Sequence, residues 1–531
     1  MNTPSKSIGF VVAARWLALL AFATIGSIAL AQQEPGAPSD AQADPPARVG
    51  AITAAQGSIV FAPAGETDWA ALPHNRPIVK GDRLWTDDGA RAEVSFGSSV
   101  LHMASRTFVE VIAIDDNVVQ LAVNQGSVNA RARDLRAGDN FEISTPQLAL
   151  RATQPGDWRI DVDPQQGFTR VTAHGGVALL YGADGNVQRV VAGQQVAFSG
   201  RDLLAAANVP PAADDGFERW ALDRNRAEDQ SLAARYIPRD VVGSPELDAY
   251  GSWSQDPDWG TVWYPQVVSA DWAPYRYGHW DWIAPWGWTW IDDAPWGFAP
   301  FHYGRWTMID SRWAWVPGPL GRHPVYAPAL VAFVGGGPSI GWYPLAPGEI
   351  WRPWWTASPA YVRDVNRYLV TDSRFYNTGP HLFGHRPDAI TAVRGDDFGH
   401  GRAVQSHWSR MRPQDIARAQ PATPPAPLRE ARREFPREQQ RSMQPRPMQP
   451  LQREQFLQPR AERPREPQAR PQQQVRETQR RQFVQQRQQR EQRREIAVQR
   501  QERHAPAQPR GEQRAAQRQA QRDEGHGRRF Q

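Results

Sequence analysis

The residues of this 531-residue chain that could do chemistry are few and unevenly placed. Asp292-Asp293 is a carboxylate pair of the kind a glycosidase needs. Neighbouring residues on a strand point to opposite faces, however, and Asp-Asp is ordinary in a turn, so the sequence favours the turn. Gly335-Gly336-Gly337 lacks the Lys and Ser/Thr of a phosphate loop and reads as a flexible turn. His381 and His385, with His400 and His407 further on, have the spacing of a metal-binding helix face. Gly379-Pro380, Gly384 and Pro387 argue against a helix there, and no HExxH motif is present. His74, His102 and His174 form no ligand spacing. The absence of Cys removes disulfides, thiol nucleophiles and Cys-ligated zinc or iron–sulfur centres. The expectation is a non-enzyme with no catalytic residue, metal or cofactor.

Tryptophan is the informative residue. Seventeen of the 23 Trp fall between Trp253 and Trp355, and they are periodic. Tyr-Gly-x-Trp occurs at Tyr250–Trp253, Tyr277–Trp280 and Tyr303–Trp306. A second Trp follows in each unit, at Trp263, Trp290 and Trp315, and Ala273-Pro274, Ala299-Pro300 and Ala327-Pro328 close them. Three units of about 26 residues therefore stand in a row. Trp280 and Trp282, Trp286, Trp288 and Trp290, and Trp313 and Trp315 recur with period two, which places rings on one face of a strand. With Pro285-Trp-Gly287, Asp292-Asp293 and Asp310-Ser311 as turns, each unit reads as a β-hairpin, and the three are expected to pack side by side.

Three roles compete for these rings. Exposed indoles can stack on sugars of peptidoglycan or another polysaccharide, with Asp292, Asp293, His279 and His302 bonding hydroxyls. They can form a protein-docking surface, since Trp, Tyr and Arg dominate interface hot spots. Or they are core. So many in about a hundred residues exceeds what such a core needs, and an exposed aromatic patch marks a contact site. Trp280, Trp282, Trp286, Trp288, Trp290, Trp296 and Trp306 are the candidate binding residues.

The elements around them point to a mostly β chain. The Trp-rich region, 241–412, resembles a Trp-rich domain of unknown function that follows FecR-like domains in Gram-negative envelope proteins. The resemblance rests on Asp240–Gly243, Val262–Pro265, Trp272–Gly278, Trp286–Trp306 and Pro324–Pro328. Residues 48–205 carry short runs rich in Val, Ile, Phe and Thr, such as Ala90–Phe96, Phe108–Ile112 and Phe141–Thr145. Gly and Asp-Gly turns separate them, the pattern of an all-β sandwich, barrel or roll. Gly57-Ser58-Ile59, Gly81–Thr86, Ala90-x-Ala92-x-Val94-x-Phe96, Gln125–Val128, Thr145-Pro146 and Val191-x-Gly193-Gln194, in that order, resemble the FecR-type periplasmic domain. That resemblance implies a β fold and a periplasmic location. Between the two regions, 214–240 reads as a spacer helix capped by Asp214 or Asp215, with Phe217, Trp220 and Ala221 on one edge and Pro238 beyond its end.

The ends are addresses and attachments. Residues 1–31 read as an export signal: Lys6 and Arg15, an uncharged apolar run from Trp16, and Ala29-Leu-Ala31 before the cut. A retained anchor is the competing reading, and after cleavage the chain is not transmembrane. Residues 32–47 read as a Pro/Ala-rich linker. Residues 413–531 read as a disordered Arg/Gln/Pro-rich tail. From 421 onward there are 26 Arg, no Lys and 13 acidic residues, a net +13, while 1–420 carry −8. Such a tail suits an anionic envelope surface, and export argues against a specific nucleic-acid partner. The sequence thus points to an exported envelope scaffold binding protein through an aromatic surface, with peptidoglycan or polysaccharide binding as the alternative and an envelope hydrolase as a remote third.

Overall fold

The computed structural model describes residues 44–206, 209–212, 215–266, 269–318, 324–336, 338–367 and 382–427. The segment expected to be an export signal, most of the expected linker, His381, the later part of a short helix that Tyr361–Asn377 could form and the expected tail beyond 427 lie outside these residues. The chain is mostly β, as expected.

Sixteen strands between Ala51 and Ala205 join in one hydrogen-bonded network. Its axis is the long strand Val118–Ala132. The first half of this strand pairs with Phe108–Ile114 and, in parallel, with Asn140–Ser144. The second half pairs with Ser99–Met103 and Gly156–Asp163. The change of partners falls at Gly126, where φ is +94° and a Cβ would stand 2.4 Å from Thr107 Oγ1. Only glycine suits that bend. Apolar residues at alternate positions, such as Ala92, Val94, Leu121, Ile143, Trp158 and Ile160, fill one core.

The polar residues that alternate with them do not all face water. Helix α1, Gly216–Asp229, lies across the strands that carry Glu93, His102, Arg131 and Arg159. Asp215 caps it, its Oδ1 accepting the Glu218 N–H at 2.8 Å. The helix is therefore docked on the sheet, a correction to its reading as a spacer. Its polar stripe fits a polar sheet face, so the pairing is ionic more than apolar.

Each Tyr-Gly-x-Trp unit is a hairpin: Gly251–Asp256 with Gly260–Pro265, Gly278–Ile283 with Gly287–Asp292, and Arg305–Ile309 with Arg312–Val316. The expected turn at Asp310-Ser311 is there, with both residues at positive φ, the two-residue geometry that suits strand twist. The three do not pair side by side. The first and third join in a four-stranded sheet through Trp263 opposite Trp315, and the second is a separate two-stranded ribbon. The second ribbon meets the rest of the region by ring packing, as in Trp290 against Tyr275 and Trp280 against Trp342. A fourth hairpin, Val331–Gly336 with Ser339–Pro344, adds Thr391–Arg394 on one side and Gln420-Pro421 on the other.

Two boundaries shift. Residues 413–427, expected in the disordered tail, include the short helix Pro413–Ile416 and that edge strand, because buried Ile416 and the open edge of Val331–Gly336 give them partners. At the other end Ala47, expected in the linker, accepts the Tyr326 N–H at 2.9 Å. The sheet domain and the Trp-rich region also share an interface: Asn75 Nδ2 donates to the carbonyls of Asp292 and Ala294, and Val49, Ala51 and Val79 join the aromatic core.

Candidate functional site

The repeat is a device for seating indoles. In every unit the Trp of Tyr-Gly-x-Trp sits directly opposite the second Trp: Trp253 with Trp263, Trp280 with Trp290, Trp306 with Trp315. The glycine lies under that second ring. A Cβ on Gly251 would be 2.1 Å from the Trp263 ring, on Gly278 2.7 Å from Trp290, and on Gly304 2.7 Å from Trp315 Nε1. Several indole N–H groups find backbone carbonyls, although that of Trp280 is buried without an acceptor. Trp263 donates to the Leu247 carbonyl, Trp315 to Tyr303, Trp306 to Pro300 and Trp342 to Tyr275, at 2.8–3.1 Å. The rings meet edge-on or tilted, as with Trp263–Trp296 at 5.0 Å and Trp280–Trp342 at 5.5 Å, the arrangement their quadrupoles favour.

This corrects the expected aromatic surface. Of the seven candidate residues, Trp280, Trp286, Trp288, Trp290, Trp296 and Trp306 are each 5% exposed or less. Trp282 alone reaches the surface, at 36%, edge-on to Trp288 at 5.7 Å. Each indole removes on the order of 200 Å² from water, so a domain with few aliphatic residues makes its core from them.

The carboxylate pair splits at the end of the strand Gly287–Asp292, with Asp293 in the bend that follows. Asp292 is buried and accepts the Trp290 indole N–H and the Ala294 N–H, both at 3.0 Å. Burial pushes its carboxyl well above the usual range. Asp293 is exposed and accepts from Gln405 Nε2 at 2.6 Å. The two do not converge on a common point. His302, a candidate for hydroxyl contacts, is also core: it bonds the Ala327 carbonyl, lies against Tyr326, and burial pushes its pKa down to about 4. His385, His400 and His407 gather no ligand set, and among the described residues no group of three or more His, Cys, Asp or Glu is placed to hold a metal.

The densest set of ionisable groups lies elsewhere, under α1. Glu93 is buried and accepts from Arg224 Nε and Nη2 at 2.8 and 2.7 Å, from the Thr53 hydroxyl at 2.6 Å, and faces His102 Nε2 at 3.0 Å. Burial alone would raise its carboxyl, but hydrogen bonds from Arg224 and His102 overcome that and hold it far below the usual range. Arg159 pairs with Asp161, Asp215 and Glu218, and Arg133 with Glu228 and Asp229. Glu246 is close to Arg224 at 3.9 Å, too far to be neutralised; burial and the nearby Glu93 charge push its carboxyl up to about 8. No local motif announced this network. Its only trace was the alternation Arg91-Ala-Glu93-Val-Ser95, which looks like a solvated strand face.

The fold and the aromatic core are those of a β protein built around a Trp-rich module. Residues 244–349 match a family of unknown function, DUF6600. No curated protein matches the chain. Two crystal structures of a candidate anti-sigma factor from Parabacteroides distasonis align over 23% of this chain and 57% of that one, at 13% and 12% identity and a TM-score of 0.20. A likeness that slight carries no argument about function.

Proposed function

We propose that this chain is an exported cell-envelope scaffold that acts through protein contacts and not through catalysis, with its basic tail holding it to an anionic surface. The observation that carries this reading is the burial of the indoles. Sugar recognition by Trp needs open ring faces, and six of the seven candidates have none. A hydrolase needs two converging carboxylates, and Asp292 and Asp293 diverge into core and solvent. Export is supported by the charged, apolar and small-x-small pattern of residues 1–31, and a periplasmic place by the order of FecR-like motifs over 57–194. Among the seven candidate rings, Trp282 is the one at which the glycan reading survives.

Cell fractionation and cosedimentation of the full chain with purified peptidoglycan test this. The chain is expected in the envelope or periplasmic fraction, with peptidoglycan retention unchanged by Trp282→Ala. Retention that disappears with Trp282→Ala would favour glycan binding. Release of soluble fragments from the peptidoglycan would overturn the non-catalytic reading, and a cytoplasmic location the exported one.

A further inference from the structure

The last described residues form a strap over the aromatic core. Gln420 and Pro421 extend the edge of Val331–Gly336, with Gly335 opposite Gln420 and Val334 opposite Pro421. The Ala422 N–H donates to the Phe333 carbonyl at 3.0 Å. Ala422 packs against the aromatic cluster and Pro424 is buried, while Pro421, Thr423 and Pro425 are exposed. The Trp288 indole N–H then donates to the Pro425 carbonyl at 2.6 Å. Gly335 makes the room: a Cβ there would stand 2.9 Å from the Ala422 Cβ.

An augmented edge, small inward side chains at alternate positions and an indole donor to a proline carbonyl are the means by which proteins hold extended proline-rich segments. None of these contacts needs a side chain peculiar to Gln420–Pro427. The rest of the chain supplies more of the same: the Gln-Pro step of Gln420-Pro421 recurs at Gln444-Pro445, Gln449-Pro450, Gln458-Pro459 and Gln508-Pro509.

We infer that this groove is an exchangeable site for proline-rich extended segments, filled in cis by Gln420–Pro427 and in trans by the tail of a second copy of the chain. Tethering gives the strap a high effective concentration, so the groove is masked in an isolated chain and exchanges where copies are crowded together. The site gives the scaffold reading a contact surface, yet it stands apart from that reading because its test uses purified protein and makes no reference to compartment.

The test uses the full chain with 420–427 replaced by a Gly/Ser run of equal length, and two labelled peptides, 418–429 and 442–452. Both peptides are expected to bind the opened chain, roughly tenfold or more tighter than they bind the unaltered chain. Adding Trp288→Phe, which keeps a ring and removes the donor, should weaken both about fivefold. Binding of neither peptide, with near-UV circular dichroism intact, overturns the site. Binding of 418–429 alone overturns the second-copy occupant, and equal binding to opened and unaltered chains overturns the masking. If the opened chain does not fold, Val334→Cys with Pro421→Cys, directly opposite across the edge, locks the strap in a chain with no other Cys. Sedimentation should then show tail-dependent self-association of the reduced chain that oxidation abolishes. Association that persists in the locked chain, or is absent from the reduced one, overturns the proposal.

Discussion

Glycine and tryptophan act as one unit in each repeat, and the geometry sets the cost of separating them. Gly304 has φ +66°, and a Cβ there would stand 2.7 Å from Trp315 Nε1 and 2.4 Å from the Val316 carbonyl oxygen. Gly260, the first strand residue after the turn of the first hairpin, has a similar φ of +71° but no heavy atom within 4 Å of its would-be Cβ. The two positions separate packing from backbone strain. Gly260→Ala should cost only the left-handed penalty, ~1 kcal/mol. Gly304→Ala adds overpacking against an indole that cannot move without giving up its bond to Tyr303, a further ~1–3 kcal/mol. Urea unfolding followed by Trp emission measures both, and equal losses would show that the glycine is there for its φ alone. The sequence counts indoles, while their burial depends on what covers them: a glycine under the ring for Trp263, Trp290 and Trp315, and rings distant in sequence for others such as Trp280 against Trp342.

At the scale of elements, what was legible was local. The hairpins could be read because Trp alternation and turns such as Asp310-Ser311 act within a few residues. Their assembly could not. The union of first and third units rests on one pairing, Trp263 with Trp315, 52 positions apart in sequence. The fourth hairpin lacks Tyr-Gly-x-Trp, so the repeat pattern passed over it. Helix α1 was found, with its Asp215 cap, but its docking was not, because charged residues on a strand normally face water. Buried charge has a pH signature. The Glu246 carboxyl sits at about 8 against an ordinary 4.5. Between those values the unfolded chain has lost this proton and the folded chain keeps it. Stability from this group is therefore full at low pH and falls as pH rises through the window, by up to ~1.4 kcal/mol per pH unit. Glu93, Asp215, Glu218 and Asp229 are lowered and act in the opposite sense, losing stability in acid. Glu246→Gln keeps the neutral shape. Its melting temperature should match that of the unaltered chain near pH 4 and exceed it at pH 9; a difference that does not grow with pH would mean that Glu246 ionises freely in the fold.

The whole molecule is divided by charge: −8 over residues 1–420 and +13 over 421–531, with every positive charge of the latter an Arg. The body spends its own arginines inward, as in Arg224 with Glu93 and Arg276 with Thr391 and the carbonyls of Asp388 and Ile390. An acidic body is repelled by an anionic surface, so the proposed attachment would fall to the tail. Exposed charges are screened beyond about 8 Å at physiological salt, and each Arg near an anionic membrane contributes on the order of 1 kcal/mol. The full chain should cosediment with vesicles containing phosphatidylglycerol at low salt and leave them as salt rises. Truncation after Pro427 retains the strap and its bond to Trp288 while removing all 26 Arg of 421–531, so the truncated chain should keep its unfolding midpoint and lose vesicle binding at every salt concentration. If the truncated chain bound as well as the full one, the contact would have to lie on the folded body, and its exposed apolar side chains, Trp282, Leu382 and Ile350, would be the residues to change first.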